Sequence, residues 1–167
     1  MKKTFVIGDV HGCFYTLMDL VKKLPKNSEM IFTGDLCDKG FYSKEVIEFV
    51  KNNARCVLGN HDNYMSKYLK SSMNGEHFEW NTSDEYAGYT TVSSYLKCDE
   101  KLINNHIDYI KSLPFYIQID KYFITHGFGL PYYNRKDNEE YKFSLSINRL
   151  SNRRHEDDYE VDFEKYD

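Results

Sequence analysis

Four short stretches carry side chains that could do chemistry together: Gly8-Asp9-Val10-His11-Gly12, Gly34-Asp35-Leu36-Cys37-Asp38-Lys39-Gly40, Gly59-Asn60-His61-Asp62 and His126-Gly127. Each follows a short apolar run that reads as a buried strand. Glycine lets the chain turn sharply where a strand ends, so polar side chains can gather there. Asn60 offers a neutral oxygen to a metal, His61 a proton near neutral pH, and Asp62 a carboxylate suited to starting and capping a helix. Asp9 and His11 are two apart just past a strand, and both point the same way if the extended geometry persists. Asp35, Asn60 and His126 add two oxygen ligands and one imidazole. Such a mixture, with no thiolate, suits divalent manganese, iron or zinc. Two ions about 3.5–4 Å apart need a carboxylate between them and activate water for in-line attack at phosphorus. Asp35 suits that bridge by order and type.

The elements that must position these groups follow from periodicity. Strands are expected over residues 4–7, 30–33 and 55–58, and helices over 15–24 and 43–52, the first closed by Pro25. The repeat of strand, polar turn and helix implies parallel strands joined by right-handed crossovers, with a ligand site at their carboxyl ends. Residues 71–89 are rich in Ser, Asn, Gly, Glu and Tyr and hold the only tryptophan, Trp80. They read as a surface excursion, either a lid that contacts substrate or an insertion without a role. A helix over 99–112 and a hairpin of 115–119 with 122–125, turning at Asp120-Lys121, complete the pattern. His77, His106 and His155 read as solvent-facing, and the acidic run from Glu156 to Asp167 as a solvated tail.

With 167 residues the chain suits one domain, 1–167, with a real core. A net charge of −4 argues against nucleic acid as a partner, since phosphate backbones select basic faces. No apolar run approaches the roughly 20 residues of a membrane span, so no membrane partner is expected and the location reads as cytoplasmic. Cys13, Cys37, Cys56 and Cys98 lack C-x-x-C spacing and read as reduced thiols.

These segments resemble the motifs of the calcineurin-like metallophosphoesterases, in order and across essentially the whole chain. The branch they are most similar to is that of bacterial and phage Ser/Thr protein phosphatases and the symmetrical dinucleoside tetraphosphatases. The resemblance implies an α/β fold, a four-layer α-β-β-α sandwich of two packed sheets with helices outside. It implies two divalent ions, manganese first and iron or zinc next. Asp9, His11 and Asp35 would hold one, and Asp35, Asn60 and His126 the other. A hydroxide bridging them would attack phosphorus while His61, oriented by Asp38, protonates the leaving oxygen. The implied activity is hydrolysis of phosphomonoesters, with a phosphorylated protein as the first substrate and a dinucleoside tetraphosphate as the alternative.

Three departures stand out. Lys39 replaces an arginine, so a forked grip on phosphate becomes a point charge or a solvated turn residue. The family's phosphate-clamping arginine matches best to Arg149, with Arg153 and Arg154 as competitors and a surface salt bridge as the other reading. The last motif, Gly-His-Thr, is missing, since His155 lacks the preceding strand and the glycine. Either the sandwich is truncated at its C-terminal end, without that motif and the final strands, or the second ion lacks a ligand. The other class of function is therefore a non-catalytic binding module on the same fold, which would have no need of His61 and Asp38.

Overall fold

The structure is a computed structural model that describes residues 3–149. Arg153, Arg154, His155 and the acidic run from Glu156 lie outside the described residues. Three parallel strands open the chain: β1 Thr4–Ile7, β2 Glu29–Phe32 and β3 Arg55–Cys56, side by side in that order. Ile7 pairs with Phe32 and Phe32 with Cys56, so all three strands end level and their following loops leave from one edge. The third strand is shorter than its apolar run because the ladder changes partners. The Val57 N–H still donates to the Phe32 carbonyl at 3.0 Å, but that of Leu58 donates to Pro114 at 2.8 Å.

Helices α1 (Phe14–Lys23) and α2 (Ser43–Asn53) are the crossovers; α2 buries the apolar stripe its spacing dictates, whereas α1 buries Leu17 and leaves Leu20 exposed. Leu17 lies under α1; Val46, Ile47 and Val50 lie under α2. Leu24 turns extended ahead of Pro25 and ends the first helix. Farther on, α6 (Glu100–Ser112) is capped by Asp99, whose carboxylate accepts from the Leu102 N–H at 2.8 Å. Strands β4 (Tyr116–Ile119) and β5 (Tyr122–Thr125) form the expected hairpin, with Asp120 in the left-handed region at φ 50°.

Two clusters of apolar side chains divide the interior. Phe32, Leu36, Val46, Ile47, Val50, Met65 and their neighbours join the parallel sheet to its helices. On the other face Ile31, Val57, Ile117 and Ile124 stack the parallel sheet on the hairpin. Two sheets therefore lie face to face, with helices on the outer side of the first. Val6 pairs with fully buried Ile31 yet is 54% exposed, so the hairpin's cover stops short of β1.

Residues 71–89 are not a loose excursion. After α3 (Asn60–Met73) they form α4 (Glu79–Thr82) and lead into α5 (Gly88–Tyr95), with Trp80 buried. A Cβ at position 88 would sit 2.4 Å from the Trp80 ring, so this packing requires glycine. His106 is also not solvent-facing. It is fully buried between α2 and α5, where it hydrogen-bonds the Tyr95 hydroxyl at 2.7 Å and donates to Glu48 at 2.6 Å. Polar composition misled in the first case and a lone polar residue on a helix in the second. Both side chains are buried because their hydrogen bonds are met inside. After β5, a 3₁₀ turn (Leu130–Arg135), α7 (Glu139–Lys142) and α8 (Ser144–Ile147) fold back, and the Gly127 N–H donates to Leu145 at 2.7 Å.

Candidate active site

The loops after the strands are held by close backbone contact. Gly34, at φ +96°, would place a Cβ 2.4 Å from the Gly59 nitrogen, and a Cβ on Gly59 would lie 2.2 Å from an Asp35 carboxylate oxygen. Only glycine at both positions lets the loops after β2 and β3 approach this far. His11, Asp35, Asp38 and Lys39 all have positive φ, an uncommon state for residues with a Cβ and one that clusters at functional sites. Asp62, fully buried in the first turn of α3, fastens the loops further. Its two oxygens accept the Leu36 and Asp35 N–H groups at 2.8 Å each, and one also takes the Gly59 N–H at 3.2 Å. Asp62 is thus more than the helix cap expected of it.

This scaffold brings together Asp9, His11, Asp35, Asn60, His61 and His126. Ligand atoms of Asp9, Asp35 and His126 all lie within 4.8 Å of one another, as do those of His11, Asp35 and His61. Asp35 stands in the middle. One of its oxygens accepts the His61 N–H at 3.0 Å, and the other lies 3.7 Å from His11 Nε2 and 3.4 Å from His126 Nε2.

The two imidazoles test whether a cation fits. His11 Nδ1 donates to the Cys37 carbonyl at 2.9 Å, and His126 Nδ1 donates to the Thr33 carbonyl at 2.8 Å. Each ring's proton is thereby assigned to Nδ1, leaving a lone pair on Nε2. These lone pairs face oxygens: His126 Nε2 is 3.0 Å from Asn60 Oδ1, and His11 Nε2 is 3.8 Å from an Asp9 oxygen. His126 Nε2 and the oxygens of Asp9, Asp35 and Asn60 converge as acceptors and suit a divalent cation, whereas His11 Nε2 is met at 3.0 Å by the Lys39 ammonium, which a cation there would displace. Cys37 and Cys56 stay outside this donor set. Burial raises both thiols well above their ordinary pKa, and all four cysteines are free.

Beside the cluster, His61 Nδ1 bonds an Asp38 oxygen at 2.7 Å. Asp38 is fully buried, and its cradle comes from far along the chain. Trp80 Nε1 donates to the same oxygen at 2.7 Å, the Thr91 hydroxyl donates to the other at 2.6 Å, and Ser43 and Thr91 accept from the Asp38 N–H. Burial works against charging His61, but the Asp38 hydrogen bond and the charges of Asp35 and Asp38 outweigh it and raise its pKa. The rings of Tyr64 and Tyr86 flank His61, with centroids 6.5 and 5.9 Å away.

Trp80, Thr91, Ser43, Tyr64 and Tyr86 escaped the sequence reading. The one usable signal was Trp80 itself, since a buried indole N–H needs an acceptor. Lys39 is exposed, and its ammonium lies 3.0 Å from His11 Nε2, at the edge of the cluster. Arg149 is exposed and is placed only through its neighbour, because the Asn148 backbone and amide both bond Phe128, two residues past His126.

Comparison with known proteins agrees with this geometry. The model of the calcineurin-like phosphoesterase family matches residues 2–162. A symmetrical bis(5'-nucleosyl)-tetraphosphatase of Actinobacillus pleuropneumoniae serotype 3 (strain JL03) is 48% identical over 65 residues, 35% of this chain and 24% of that protein. An asymmetrical bis(5'-nucleosyl)-tetraphosphatase of Anoxybacillus flavithermus is 28% identical over 174 residues, 91% of this chain and 68% of that protein. The solved structure of a protein serine/threonine phosphatase from Saccharomyces cerevisiae superimposes with a TM-score of 0.50 at 27% identity, covering 75% of this chain and 38% of that one. The matched stretch thus spans about a quarter of the symmetrical tetraphosphatase. With the family model covering nearly its whole length, the four strand-end motifs gathered at one edge and the two sheets stacked, this chain belongs to the calcineurin-like phosphoesterases.

Proposed function

We propose that this chain is a metal-dependent phosphoesterase in which His61 protonates the leaving oxygen. The observation that carries the reading is a buried histidine–carboxylate pair set directly beside converging imidazole and carboxylate lone pairs. A scaffold with no chemistry to perform has no need of such a proton donor. Asp9, His11 and Asp35 would hold one divalent cation and Asp35, Asn60 and His126 a second, Asp35 being shared. Bound cations would supply Lewis acidity, lowering the pKa of water and neutralising phosphate oxygens.

The chain's own groups do the rest. Asp38, held by Trp80 and Thr91, fixes the His61 ring so that the nitrogen away from Nδ1 can pass its proton to the departing oxygen, an alkoxide in an ester and a phosphate oxygen in a polyphosphate. The Thr33 and Cys37 carbonyls hold the His126 and His11 rings in their orientation. Lys39, whose ammonium lies 3.0 Å from His11 Nε2, would meet a phosphate oxygen as a point charge, and Arg149 is the candidate clamp.

Among substrates we take a nucleotide polyphosphate ahead of a phosphoprotein. Both curated relatives above are named as tetraphosphatases, one of them aligning over 91% of this chain. The yeast phosphatase keeps the phosphoprotein as the second reading. The test is turnover by the manganese-loaded protein of an aryl phosphate, then of a dinucleoside tetraphosphate against a phosphoserine peptide. His61→Ala should cost at least about 100-fold on an alkyl ester and much less on a nitrophenyl ester, whose leaving group needs no proton. No turnover of any of these, with metal binding verified by calorimetry, would overturn the proposal.

A further inference from the structure

Tyr64 and Tyr86, which pack against the His61 ring, also line a cleft of about 210 Å³ that the reaction as described leaves unused. Its walls are aromatic: Tyr64 and Tyr68 from α3, Phe78 and Trp80 from the start of α4, and Tyr86 from the turn before α5. Tyr64 and Tyr86 meet edge to face, with centroids 5.4 Å apart at 88°, and both contact the His61 ring. Tyr68 and Phe78 stack behind them at 4.5 Å. Tyr64 and Tyr86 are only half-buried, so they present ring surface to the cleft, while Trp80 is sealed beneath.

The size decides what fits. Whole drug-sized ligands occupy roughly 300–1,000 Å³, so this cleft takes one ring system of a larger molecule. Among the described residues its one charged lining group is the exposed Glu79 carboxylate, which accepts hydrogen bonds from an amino edge. Flat aromatic walls with an acceptor at the rim match a nucleobase, whose faces stack on tyrosine irrespective of its identity. The position matters equally: His61 is the group that would meet the leaving oxygen, and Tyr64 and Tyr86 connect its ring to the cleft.

We propose that the cleft lined by Tyr64, Tyr68, Phe78 and Tyr86 is a leaving-group subsite that stacks the base of a nucleotide ester. This rests on the phosphoesterase reading and names where that enzyme finds its substrate's nucleoside. Tyr64 and Tyr86 are then specificity residues that never touch the reacting bond.

The test pairs adenosine 5'-monophosphate with ribose 5-phosphate, which share the same alkoxide leaving group and differ only in the base. The manganese-loaded protein should favour the nucleotide in kcat/KM by about tenfold or more, mainly through KM. Tyr64→Ala and Tyr86→Ala should each pull that ratio towards one, and Tyr64→Phe, which keeps the ring, should restore it. Trp80, the only tryptophan, gives a readout independent of turnover: adenosine should quench its fluorescence in the metal-free protein and ribose should not. Equal kcat/KM for the two esters, or an alanine variant that slows both alike, would overturn the subsite while leaving the phosphoesterase standing. A preference for a phosphoserine peptide that disappears in Tyr64→Ala would overturn it in favour of a peptide groove. Turnover of neither ester would instead count against the phosphoesterase reading, with the adenosine quench still deciding the cleft.

Discussion

Asp62→Asn is the sharpest test of how the loops are held. The parent carboxylate divides its bonds: one oxygen takes Leu36 N–H, the other takes Asp35 N–H and Gly59 N–H. Asparagine has one oxygen, so either way round its NH₂ faces a buried N–H that has lost its acceptor. An orphaned buried donor costs about 1–3 kcal/mol, and more when the lost acceptor was charged. At about 2–4 °C per kcal/mol for a chain of this size, melting should fall by about 3–10 °C. Burial and the charge of Asp35 push the Asp62 carboxyl up to about 7, against the pull of the three amides. The melt therefore belongs at about pH 8, where the parent carries the carboxylate. Because Asp35 hangs from one of these bonds, calorimetry should also show weaker manganese binding. A variant that melts within about a degree of the parent and binds metal as tightly would refute the assignment of Asp62 as the fastener.

Trp80→Phe removes one of the three donors on the Asp38 carboxylate. It should lower kcat on alkyl esters about tenfold or more, the worth of a hydrogen bond to a charged group, while leaving metal affinity unchanged. Gly59→Ala should cost both stability and metal binding, since the added methyl meets Asp35 on two sides; an alanine variant with normal calorimetry would contradict the close approach. Asp35→Asn should abolish activity and weaken uptake at both clusters, and full activity would refute the bridging role. His106 carries a pH dependence of its own. Burial, together with Lys51 and Lys44, lowers its pKa despite the Glu48 carboxylate, while Tyr95 satisfies its other nitrogen. The folded state therefore binds fewer protons than the unfolded chain below about pH 6.5, and stability falls as pH drops through that region. His106→Gln should flatten this slope in urea titrations; an unchanged slope would place the effect elsewhere.

The strand ends were legible because their chemistry is local. A glycine, an acid and an imidazole after an apolar run need no distant partner to be recognised, and the level register of β1, β2 and β3 does the gathering. What escaped was every contact closed over long separations. Asp38 and Thr91 are 53 residues apart, and nothing in either residue's neighbours announces the other. Residues 71–89 looked like a solvated loop because their polar side chains mask Trp80, whose burial depends on a glycine eight positions later. His106 failed for the converse reason: a helix stripe shows which positions point inward but not whether Glu48 and Tyr95 wait there to satisfy a polar one.

The origin of the Asp38 cradle has a dynamic consequence. Trp80 and Thr91 belong to α4 and α5, whereas the cation cluster hangs on the loops after β1, β2, β3 and β5. Segments of a fold open with different free energies, and short helices at the margin open first. An excursion that undocked α4 and α5 would take the Trp80 and Thr91 donors from Asp38 and loosen its hold on the His61 ring, yet leave the ligands of the cation cluster in place. Amide exchange should then show α4 and α5 opening as one unit, more readily than β2. The acid and the metal centre would be separately switchable parts of one site, and their failures on heating or mutation need not coincide.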